Sequence, residues 1–451
     1  MAKADIDHSG GLIEMKKWTS VIATGLVATT VLAGCGGADG SKGQSQSAAN
    51  EEEKKPDPVT VTIGVRATGY LTEDEIQRYI VQPVAKRYPH ITINRIVLDD
   101  KANSFENLLA SNSLPDIIFH TSLLLPDLKR LKADQDLTET LKAAKLDLNK
   151  FNPTALEAVK ITSENSYLMG VPYTMHFNAL YYNKDIFDKF GASYPKDGMT
   201  WQEVTELAKK VTRIEDGVQY RGFEPDSIYR AGSQLGLPLV DPKTFKSLGN
   251  TDPWKKVVEM AKAAYEIEGN STIQTFSSGV NAFVKDRKLA MLAGLNWLPN
   301  LAEVKDQFPN WDLASYPTWK EQPGVGTQID LHVMVVPNTS KNKEAAAQVI
   351  DTVVSDEVQL DMARNGRVSV LKDKKYQDEF GKNLDFLKGK NVQAIFKSAP
   401  TKPFPSTVHA NKAFNEITKV MTQVVKNKVD VNTALRSYDE LMDKYIAEQG
   451  K

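Results

Sequence analysis

The chain contains 451 residues, of which 41% are apolar and 25% are charged. This composition is ordinary for a globular protein and provides enough apolar bulk for at least two cores. Lysine and arginine number 56 against 57 aspartates and glutamates, for a net charge of −1. The sequence shows no basic stripe, so we expect no nucleic-acid partner. A single cysteine, Cys35, excludes an intramolecular disulfide and a four-cysteine metal site.

The segment before Cys35 has the pattern of a signal sequence. Two lysines precede an apolar stretch over residues 18–32, and two small residues separate that stretch from the cysteine. A stretch of about 15 moderately apolar residues is too short to span a bilayer comfortably. The pattern resembles the lipobox of bacterial lipoproteins, which implies cleavage before Cys35 and a lipid on that residue. We therefore predict a signal peptide over 1–34, and a lipidated cysteine with a flexible linker over 35–58.

The residues after this linker alternate between strand and helix patterns. Apolar residues at every second position predict strands, and helical spacing behind the capping box of Thr72 and Glu75 predicts a helix. In chain order the elements are a strand over 59–65, a helix over 72–84, a strand over 91–97, a short helix over 105–109 and a buried strand over 114–119. This order predicts a parallel α/β sheet, whose ligands lie beyond the carboxyl ends of the strands, near 66–70, 98–100 and 120–122.

An extended, largely apolar run over 170–184 follows, with a rigid proline at position 172. Aromatic and hydrogen-bonding side chains alternate along this run, which suits a strand that passes behind a pocket. A second capping box, Thr200 with Glu203, opens the next helix. Beyond it we predict, in order, a helix from 252, an apolar segment over 283–297, strands over 311–316 and 333–337, a helix from 340 and an amphipathic helix over 431–446.

Four segments resemble motifs of one protein family and occur in the order typical of that family. They are Pro115-Asp116-Ile117-Ile118-Phe119, the run Ala179-Leu180-Tyr181-Tyr182-Asn183-Lys184-Asp185 with Thr200-Trp201 behind it, Met291-Leu292-Ala293-Gly294-Leu295-Asn296-Trp297, and Val335-Val336-Pro337-Asn338-Thr339-Ser340-Lys341-Asn342-Lys343-Glu344-Ala345. The chain thereby resembles the bacterial extracellular solute-binding proteins of the ABC sugar-importer type, the maltose-binding-like family 1. Each segment alone is a weak signal, whereas four in order behind a lipobox are a strong one.

The resemblance implies an α/β fold with two lobes, the type II periplasmic-binding-protein architecture, in which hinge segments cross between the lobes. We place lobe one at 59–174 plus 314–355, and lobe two at 178–311 plus 356–451. Binding of a ligand between the lobes shifts such a protein from an open to a closed form.

The resemblance also implies a function. We expect a monomeric substrate-binding lipoprotein that captures an extracellular oligosaccharide and delivers it to an ABC permease, without enzymatic activity and without a cofactor. A lipid on Cys35 would hold it at the outer face of the cell membrane, and a Gram-positive surface is favoured over a periplasm.

A sugar cleft needs aromatic platforms beside a few fixed hydrogen-bonding groups. The resemblance carries several positions into such a cleft: His120 after the third strand, His176 in place of a carboxylate, Glu224 in a Glu-Pro-aromatic motif, Trp297 as a stacking platform and Phe414 near a second platform. Residues near these positions complete the predicted site: Tyr173, Asp226, Tyr229, Asp330 and His332, with Trp319 and Arg367 as weaker candidates.

Two departures from the family pattern weaken part of this prediction. His120 is followed by Thr121 and Ser122, where maltose-type relatives have an acidic and a basic residue, and this argues against maltose itself. Asp226 stands where the motif has an aromatic residue. Each predicted residue also has a purely structural interpretation, since a lone histidine beside a strand, a tryptophan on an apolar strand and a solvated glutamate are all common in protein structures.

Three other classes of function remain open from the sequence. A metal site could use four histidines, although none of them shows the short spacing of metal ligands; they are His120, His176, His332 and His409. A glycosidase would need two carboxylates flanking a sugar, and Glu224 and Asp226 qualify by residue type alone. A surface sensor or adhesin would need no ligand cleft.

The first 14 residues lie upstream of the basic start of the signal sequence. We expect translation to begin at Met15, with the codons of Gly10 and Gly11 forming part of a ribosome-binding site. Mass spectrometry of the unprocessed precursor should then show Met15 at the amino terminus. Peptides from residues 2–14 in that precursor would contradict this start site.

Overall fold

The computed structural model describes residues 56–66, 71–99, 101–162, 167–271 and 278–449. The predicted signal peptide, Cys35 and the linker up to residue 55 lie outside the described residues, as do residues 67–70 and 100 at two of the predicted strand ends. None of the helices in the described ranges has both the length and the apolar character that crossing a membrane requires.

The strands in these ranges form two five-stranded sheets and one two-stranded sheet. In chain order they are β1 (Val59–Arg66), β2 (Ile91–Leu98), β3 (Ile117–Thr121), β4 (Gly170–Met175), β5 (Ala179–Asn183), β6 (Arg213–Glu215), β7 (Val218–Glu224), β8 (Leu289–Gly294), β9 (Trp311–Ser315), β10 (Val325–Gln328), β11 (Leu331–Val335) and β12 (Ala399–Thr401).

Helices cover both large sheets. In chain order they are α1 (Glu73–Ile76), α2 (Gln82–Arg87), α3 (Phe105–Ala110), α4 (Leu125–Arg130), α5 (Thr138–Ala143), α6 (Pro153–Thr162), α7 (Lys184–Lys189), α8 (Trp201–Val211), α9 (Ile228–Ser233), α10 (Asp252–Tyr265), α11 (Ser278–Val284), α12 (Leu298–Glu303), α13 (Lys343–Val353), α14 (Asp356–Arg364), α15 (Lys375–Asp378), α16 (Ala410–Met421) and α17 (Val431–Gln449). Two π-helical segments continue α1 and α16, at Gln77–Val81 and Thr422–Lys426.

Both predicted capping boxes are present. The Thr72 hydroxyl accepts a hydrogen bond from the amide of Glu75 at 3.2 Å, and the Glu75 carboxylate accepts one from the amide of Thr72 at 2.9 Å. Thr200 and Glu203 form the same reciprocal pair at 3.2 and 2.7 Å. Each box satisfies amide donors that the first turn of a helix leaves without a partner, which fixes where α1 and α8 begin.

The first sheet has the strand order β2-β1-β3-β11-β4 and forms the centre of lobe one. Its first three strands run parallel, whereas β11 runs antiparallel to both β3 and β4. The second sheet has the order β6-β7-β8-β5-β9 and forms the centre of lobe two, where β5 is antiparallel to β8 and β9. The predicted two-lobe α/β fold is therefore confirmed.

In both sheets, the end at which several strands finish is the end where the crossing segments leave or enter. In lobe one, the carboxyl ends of β3 and β4 lie at the same edge as the start of β11. In lobe two, the carboxyl ends of β7, β8 and β9 lie at the same edge as the start of β5. The short segment between β4 and β5 crosses from one edge to the other, and so does the segment between β9 and β11. Ligand sites of α/β sheets lie at such carboxyl edges.

Alternate residues of β5 enter opposite cores of lobe two. Leu180 and Tyr182 pack with the helices on one face, whereas Ala179 and Tyr181 pack on the other face with Phe283 and neighbouring residues. This alternation is the period of two that a strand imposes on its side chains. Tyr181 is fully buried and Tyr182 nearly so, which makes both of them core residues.

Core packing places the boundaries between the lobes differently from our prediction at two positions in the chain. We assigned residues from 356 onward to lobe two, but the apolar side chains of α14 pack in the core of lobe one, as do Val370 and Tyr376. We also assigned residues from 314 onward to lobe one, but β9 extends to Ser315 along β5, and Trp319 belongs to the core of lobe two. Strand pairing and helix packing thus carry each segment beyond the boundary that the sequence motifs indicated.

Candidate functional site

A cavity of about 200 Å³ lies where the two lobes meet. We call it the inter-lobe cavity. Lobe one contributes Ser122 and Leu123, which follow β3, and Asp330, which precedes β11. Lobe two contributes Tyr229 from α9, and α16 contributes Phe414. Because the wall comes from both lobes, a molecule in this cavity would contact both of them.

Two aromatic rings form one side of the inter-lobe cavity. The ring of Tyr229 lies edge-to-face against Phe414, with ring centroids 5.1 Å apart and an angle of 87° between the planes. Both side chains are half-buried. Edge-to-face packing holds the two rings in fixed orientations. The pair therefore presents a stiff apolar surface to whatever occupies the cavity.

The guanidinium of Arg230 also lines the inter-lobe cavity, held by a buried carboxylate behind it. Arg230 Nε donates to both oxygens of Asp226 at 2.8 and 2.9 Å, and Nη2 donates to one of them at 2.6 Å. Asp226 also accepts hydrogen bonds from the Tyr316 hydroxyl at 3.0 Å and from the amide of Ser227 at 2.6 Å. Arg230 is thus fixed in position and its charge is balanced within lobe two.

Asn178 connects this network to the crossing segments. Its side-chain nitrogen donates to Asp226 at 3.2 Å, and its side-chain oxygen accepts from the Thr327 hydroxyl at 3.0 Å. Asn178 lies between β4 and β5, and Thr327 lies in β10. Both residues line the inter-lobe cavity and also a second cavity of about 270 Å³, which we call the hinge cavity.

Asp330 extends a carboxylate along the lobe-one side of the inter-lobe cavity. Its backbone carbonyl accepts from the amide of His176 at 2.9 Å, which ties it to the other crossing segment. Its half-buried carboxylate makes no hydrogen bond or ion pair with any residue that the structure describes. Burial, and then the negative charge of Asp330, raise the pKa of Tyr229 to about 12. The Tyr229 phenol therefore keeps its proton at neutral pH and can act as a donor.

Two predicted histidines bond to each other. His176 Nε2 lies 2.7 Å from His332 Nε2, so one imidazole donates to the other. Burial, together with the positive charges of His176, Arg367 and His120, holds the pKa of His332 well below its usual value. His176 lines the hinge cavity, whereas His332 is 1% exposed.

Three further predicted residues lie away from the inter-lobe cavity. Tyr173 is fully buried in lobe one, where it packs edge-to-face against Phe119 and contacts His332. The structure places Tyr173 and His332 in the core rather than at a cavity wall. His120 is half-buried at the end of β3, where its Nδ1 accepts from the amide of Thr121 at 2.9 Å and its ring packs against Phe105.

Glu224 and Trp297 line a third cavity of about 220 Å³, the lobe-two cavity. Glu224 is buried, forms an ion pair with Arg221 and accepts a hydrogen bond from the Tyr265 hydroxyl at 2.8 Å. Burial raises the pKa of Glu224, against the opposing effects of Arg221 and Tyr265. The Glu224 carboxylate is thus occupied within lobe two, just as Asp226 is occupied by Arg230.

Trp297 contacts two residues of the lobe-two sheet, Tyr181 in β5 and Gly294 at the end of β8. Its backbone amide donates to the Tyr181 hydroxyl at 3.0 Å. Its indole Nε1 is buried, without a hydrogen-bond partner among the described residues, and lies 2.6 Å from the point where a Cβ on Gly294 would stand. The indole nitrogen therefore packs against Gly294, while Trp297 also lines the lobe-two cavity.

The two weaker candidates have structural roles. Trp319 is 5% exposed and its Nε1 donates to the carbonyl of Ala231 at 2.9 Å. Arg367 forms a two-pronged ion pair with Glu75 at 2.6 and 2.8 Å. Across the described ranges, no group of three or more histidine, cysteine, aspartate or glutamate side chains has an arrangement that could hold a metal ion.

Sequence reasoning missed Arg230 and Asn178. An available signal for Arg230 was its spacing from Asp226, because residues four apart meet on one face of a helix turn. Asn178 gave no such signal, because its partners lie 48 and 149 residues away along the chain.

Comparison with known proteins places the fold in a family. Residues 80–385 match the family described as bacterial extracellular solute-binding protein. The matched region spans more than half of the 451 residues, so the chain belongs to this family.

Solved structures show the same fold at low sequence identity. An ABC substrate-binding protein of Listeria monocytogenes in complex with cycloalternan is 18% identical, with a TM-score of 0.71, covering 86% of this chain and 99% of its own. The sugar-binding protein MalE of Xanthomonas citri is 18% identical, with a TM-score of 0.68 and coverages of 87% and 98%. The GacH receptor of Streptomyces glaucescens, solved unliganded and with acarbose, is 20% identical, with a TM-score of 0.64 and coverages of 85% and 97%.

The close approach of Gly294 to Trp297 leads to a test of the lobe-two cavity. In a Gly294→Ala variant the new Cβ would stand 2.6 Å from the indole nitrogen, so the Trp297 ring must move. With 5-fluorotryptophan labelling, we expect the fluorine resonance assigned by Trp297→Phe to shift in this variant. The matched control is Gly326→Ala, whose nearest neighbour would be a Ser398 carbon at 3.3 Å, and it should leave that resonance in place. An unchanged resonance in Gly294→Ala would contradict the described position of the indole.

Proposed function

We propose that this protein is the substrate-binding component of an ABC importer and that it captures an extracellular oligosaccharide between its two lobes. The observation that carries this proposal is the inter-lobe cavity, whose wall combines an aromatic pair from lobe two with polar groups from lobe one. Membership of the extracellular solute-binding family supports the binding role.

The chemistry of the cavity suits a saccharide. Sugars have apolar ring faces and hydroxyl edges, so they are bound by aromatic side chains together with a few oriented polar groups. Tyr229 and Phe414 supply the aromatic surface, and the Asp330 carboxylate, the Tyr229 phenol and the Arg230 guanidinium supply polar groups. Structural relatives were solved with saccharide-type ligands, among them cycloalternan, acarbose and mannotriose.

The remaining predicted residues receive different roles in this proposal. Glu224 and Trp297 line the lobe-two cavity, and we propose that they contact a further part of the ligand. Asp226 acts by holding Arg230. His176 acts at the hinge, and His120 borders the end of β3 near Ser122.

Closure follows from the two-sided wall of the inter-lobe cavity. A ligand that packs on Tyr229 and Phe414 reaches Asp330 on lobe one only when the lobes are near each other. Its binding free energy is therefore larger in the closed form, and this difference shifts the population toward closure. The closed form would then dock on the membrane permease.

We propose binding without turnover. The two carboxylates considered for a glycosidase, Glu224 and Asp226, are each paired with an arginine of lobe two. A glycosidase needs one carboxyl group as an acid and the other as a nucleophile or base beside the scissile bond. Carboxylates engaged by arginines are poorly suited to either task.

The cellular setting in this proposal rests on the sequence before the folded region. The lipobox-like segment supports lipid attachment at Cys35, and the linker would hold the folded lobes away from the membrane. We propose a monomeric protein anchored at the outer face of the cell membrane, on a Gram-positive surface in preference to a periplasm.

Binding is tested by thermal unfolding of residues 36–451 with oligosaccharides, amino acids, peptides and divalent metals. A ligand of the native state raises the melting temperature in proportion to the logarithm of its concentration over Kd. For the stabilising sugar, we expect Phe414→Ala to raise Kd at least about tenfold, because full burial of an aromatic side chain contributes roughly 1.5–3 kcal/mol and each 1.4 kcal/mol is about a factor of ten.

The matched control for this variant is Tyr220→Ala. Tyr220 packs edge-to-face on Phe190 at 5.3 Å and 83°, and it lines none of the three cavities. We expect Tyr220→Ala to lower the free energy of unfolding by about as much as Phe414→Ala, since each variant loses an aromatic pair worth about 0.5–1.5 kcal/mol in addition to its buried area. The Kd for the sugar should stay unchanged. Stabilisation by metals or peptides alone would refute the saccharide proposal, whereas equal Kd values for the two variants would contradict the placement of the sugar against Phe414.

Lipid attachment is tested by Cys35→Ala in a bacterial host that processes lipoproteins. The unchanged chain should incorporate radiolabelled palmitate and sediment with membranes, whereas the variant should remain unlabelled and appear in the medium. The matched control is Ser41→Ala, which alters a residue of the linker and should behave as the unchanged chain. Label on the Cys35→Ala chain would contradict lipid attachment at this position.

A further inference from the structure

We propose that the inter-lobe cavity selects saccharides by charge: it accepts those that offer hydroxyl or ammonium donors and rejects those that carry a carboxylate, sulfate or phosphate, with Asp330 as the specificity-determining residue. This inference rests on the proposed saccharide-binding function and assigns the substrate class of that same cavity.

The wall of the inter-lobe cavity has few charged residues, and they differ in whether an oppositely charged residue pairs with them. Of the described residues that line the inter-lobe cavity, two carry a charge, Arg230 and Asp330. Arg230 is neutralised by Asp226, which receives three close contacts from its guanidinium. Asp330 has no ion-pair partner within the described ranges. Counted with Asp226 behind the wall, one positive and two negative groups give this part of the protein a net negative charge.

The position of Asp330 allows its carboxylate to contact a ligand in the inter-lobe cavity. Its backbone is held at the junction of the crossing segments by the 2.9 Å hydrogen bond from the amide of His176. The residue is half-buried and lines the same cavity as Tyr229 and Arg230. A ligand lying on the rings of Tyr229 and Phe414 therefore presents its edge to this carboxylate.

The carboxylate has unused acceptor capacity. An ionised aspartate accepts through two oxygens, and two neighbouring sugar hydroxyls can donate to them together. Such bonds replace water on a partly buried charge, so the ligand offsets the cost of desolvating Asp330.

An acidic saccharide meets the opposite situation. Its negative group would lie beside the half-buried Asp330, where like charges repel more strongly than in bulk water. Arg230 offers limited compensation, because its charge is already matched by Asp226. We therefore expect a saccharide with a negative group to bind this cavity more weakly than a neutral one.

The test compares matched probes by titration calorimetry on residues 36–451. The neutral probes are maltotriose, cellotriose and galactotriose, the cationic probe is the glucosamine trimer, which matches cellotriose, and the acidic probe is the galacturonate trimer, which matches galactotriose. We expect at least one neutral or cationic probe to bind and the acidic probe to bind at least about tenfold more weakly. In Asp330→Asn, the accepted probe should lose about tenfold in affinity, and the gap to the acidic probe should narrow.

The control variant is Asp306→Asn, which removes the same charge from an exposed residue without described partners and should reproduce the unchanged chain. Tight binding of the acidic trimer, or an Asp330→Asn variant that discriminates as strongly as the unchanged chain, would overturn the charge rule while leaving the saccharide function in place. Absence of binding by all five probes, with stabilisation by another ligand class in the thermal screen, would overturn the saccharide function and the charge rule together.

Discussion

The buried carboxylate of Asp226 is the point at which the parts of this site are joined. It receives hydrogen bonds from an arginine of α9, a tyrosine that follows β9 and an asparagine between β4 and β5. Removing one partner from such a network leaves a buried polar group without compensation, which is costly. The lobe-two wall of the inter-lobe cavity thus owes its geometry to a residue placed behind it, which satisfies several donors at once.

This arrangement changes how the charged residues of the site should be understood. Asp226, Glu224 and Asp330 are all acidic residues near cavities, but only Asp330 lacks an arginine partner among the described residues. The carboxylates that pair with arginines hold neighbouring side chains in position. The unpaired carboxylate of Asp330 instead requires hydrogen-bond donors from the ligand. The chemical character of the cavity therefore depends on where arginines stand and not on the number of acidic side chains.

Much of the fold could be predicted from the sequence because it depends on local patterns. Capping boxes at Thr72 and Thr200, the alternation in β5 and the order of strands and helices are properties of short segments. The family motifs then supplied the two-lobe architecture. The boundaries between lobes were less accessible, since the helix after residue 355 joins lobe one through contacts with distant strands.

The site was predictable in part. Tyr229, Asp330 and Phe414 were predicted and line the inter-lobe cavity, where their role in binding stays a prediction. The bond between His176 and His332 joins residues 156 positions apart, and no spacing rule reveals such a pair. Glu224 and Asp226 pair with arginines three and four residues away, which spacing can indicate. That Asp330 lines a cavity instead depends on neighbours from other segments, which a motif does not specify.

The position of β11 has a consequence for the order in which the protein acquires its structure. Lobe two builds its five-stranded sheet from residues 179–315, a nearly continuous stretch of chain. Lobe one cannot, because β3 and β4 do not pair with each other and need β11 between them, more than 150 residues further on. A chain that emerges from its amino terminus must therefore hold an unfinished first lobe, with two strand edges exposed, while the second lobe forms. That interval is when strand edges are most open to pairing with the wrong partner. Since Asp330 directly precedes β11, the pairing that closes the sheet of lobe one also brings Asp330 to the ligand site.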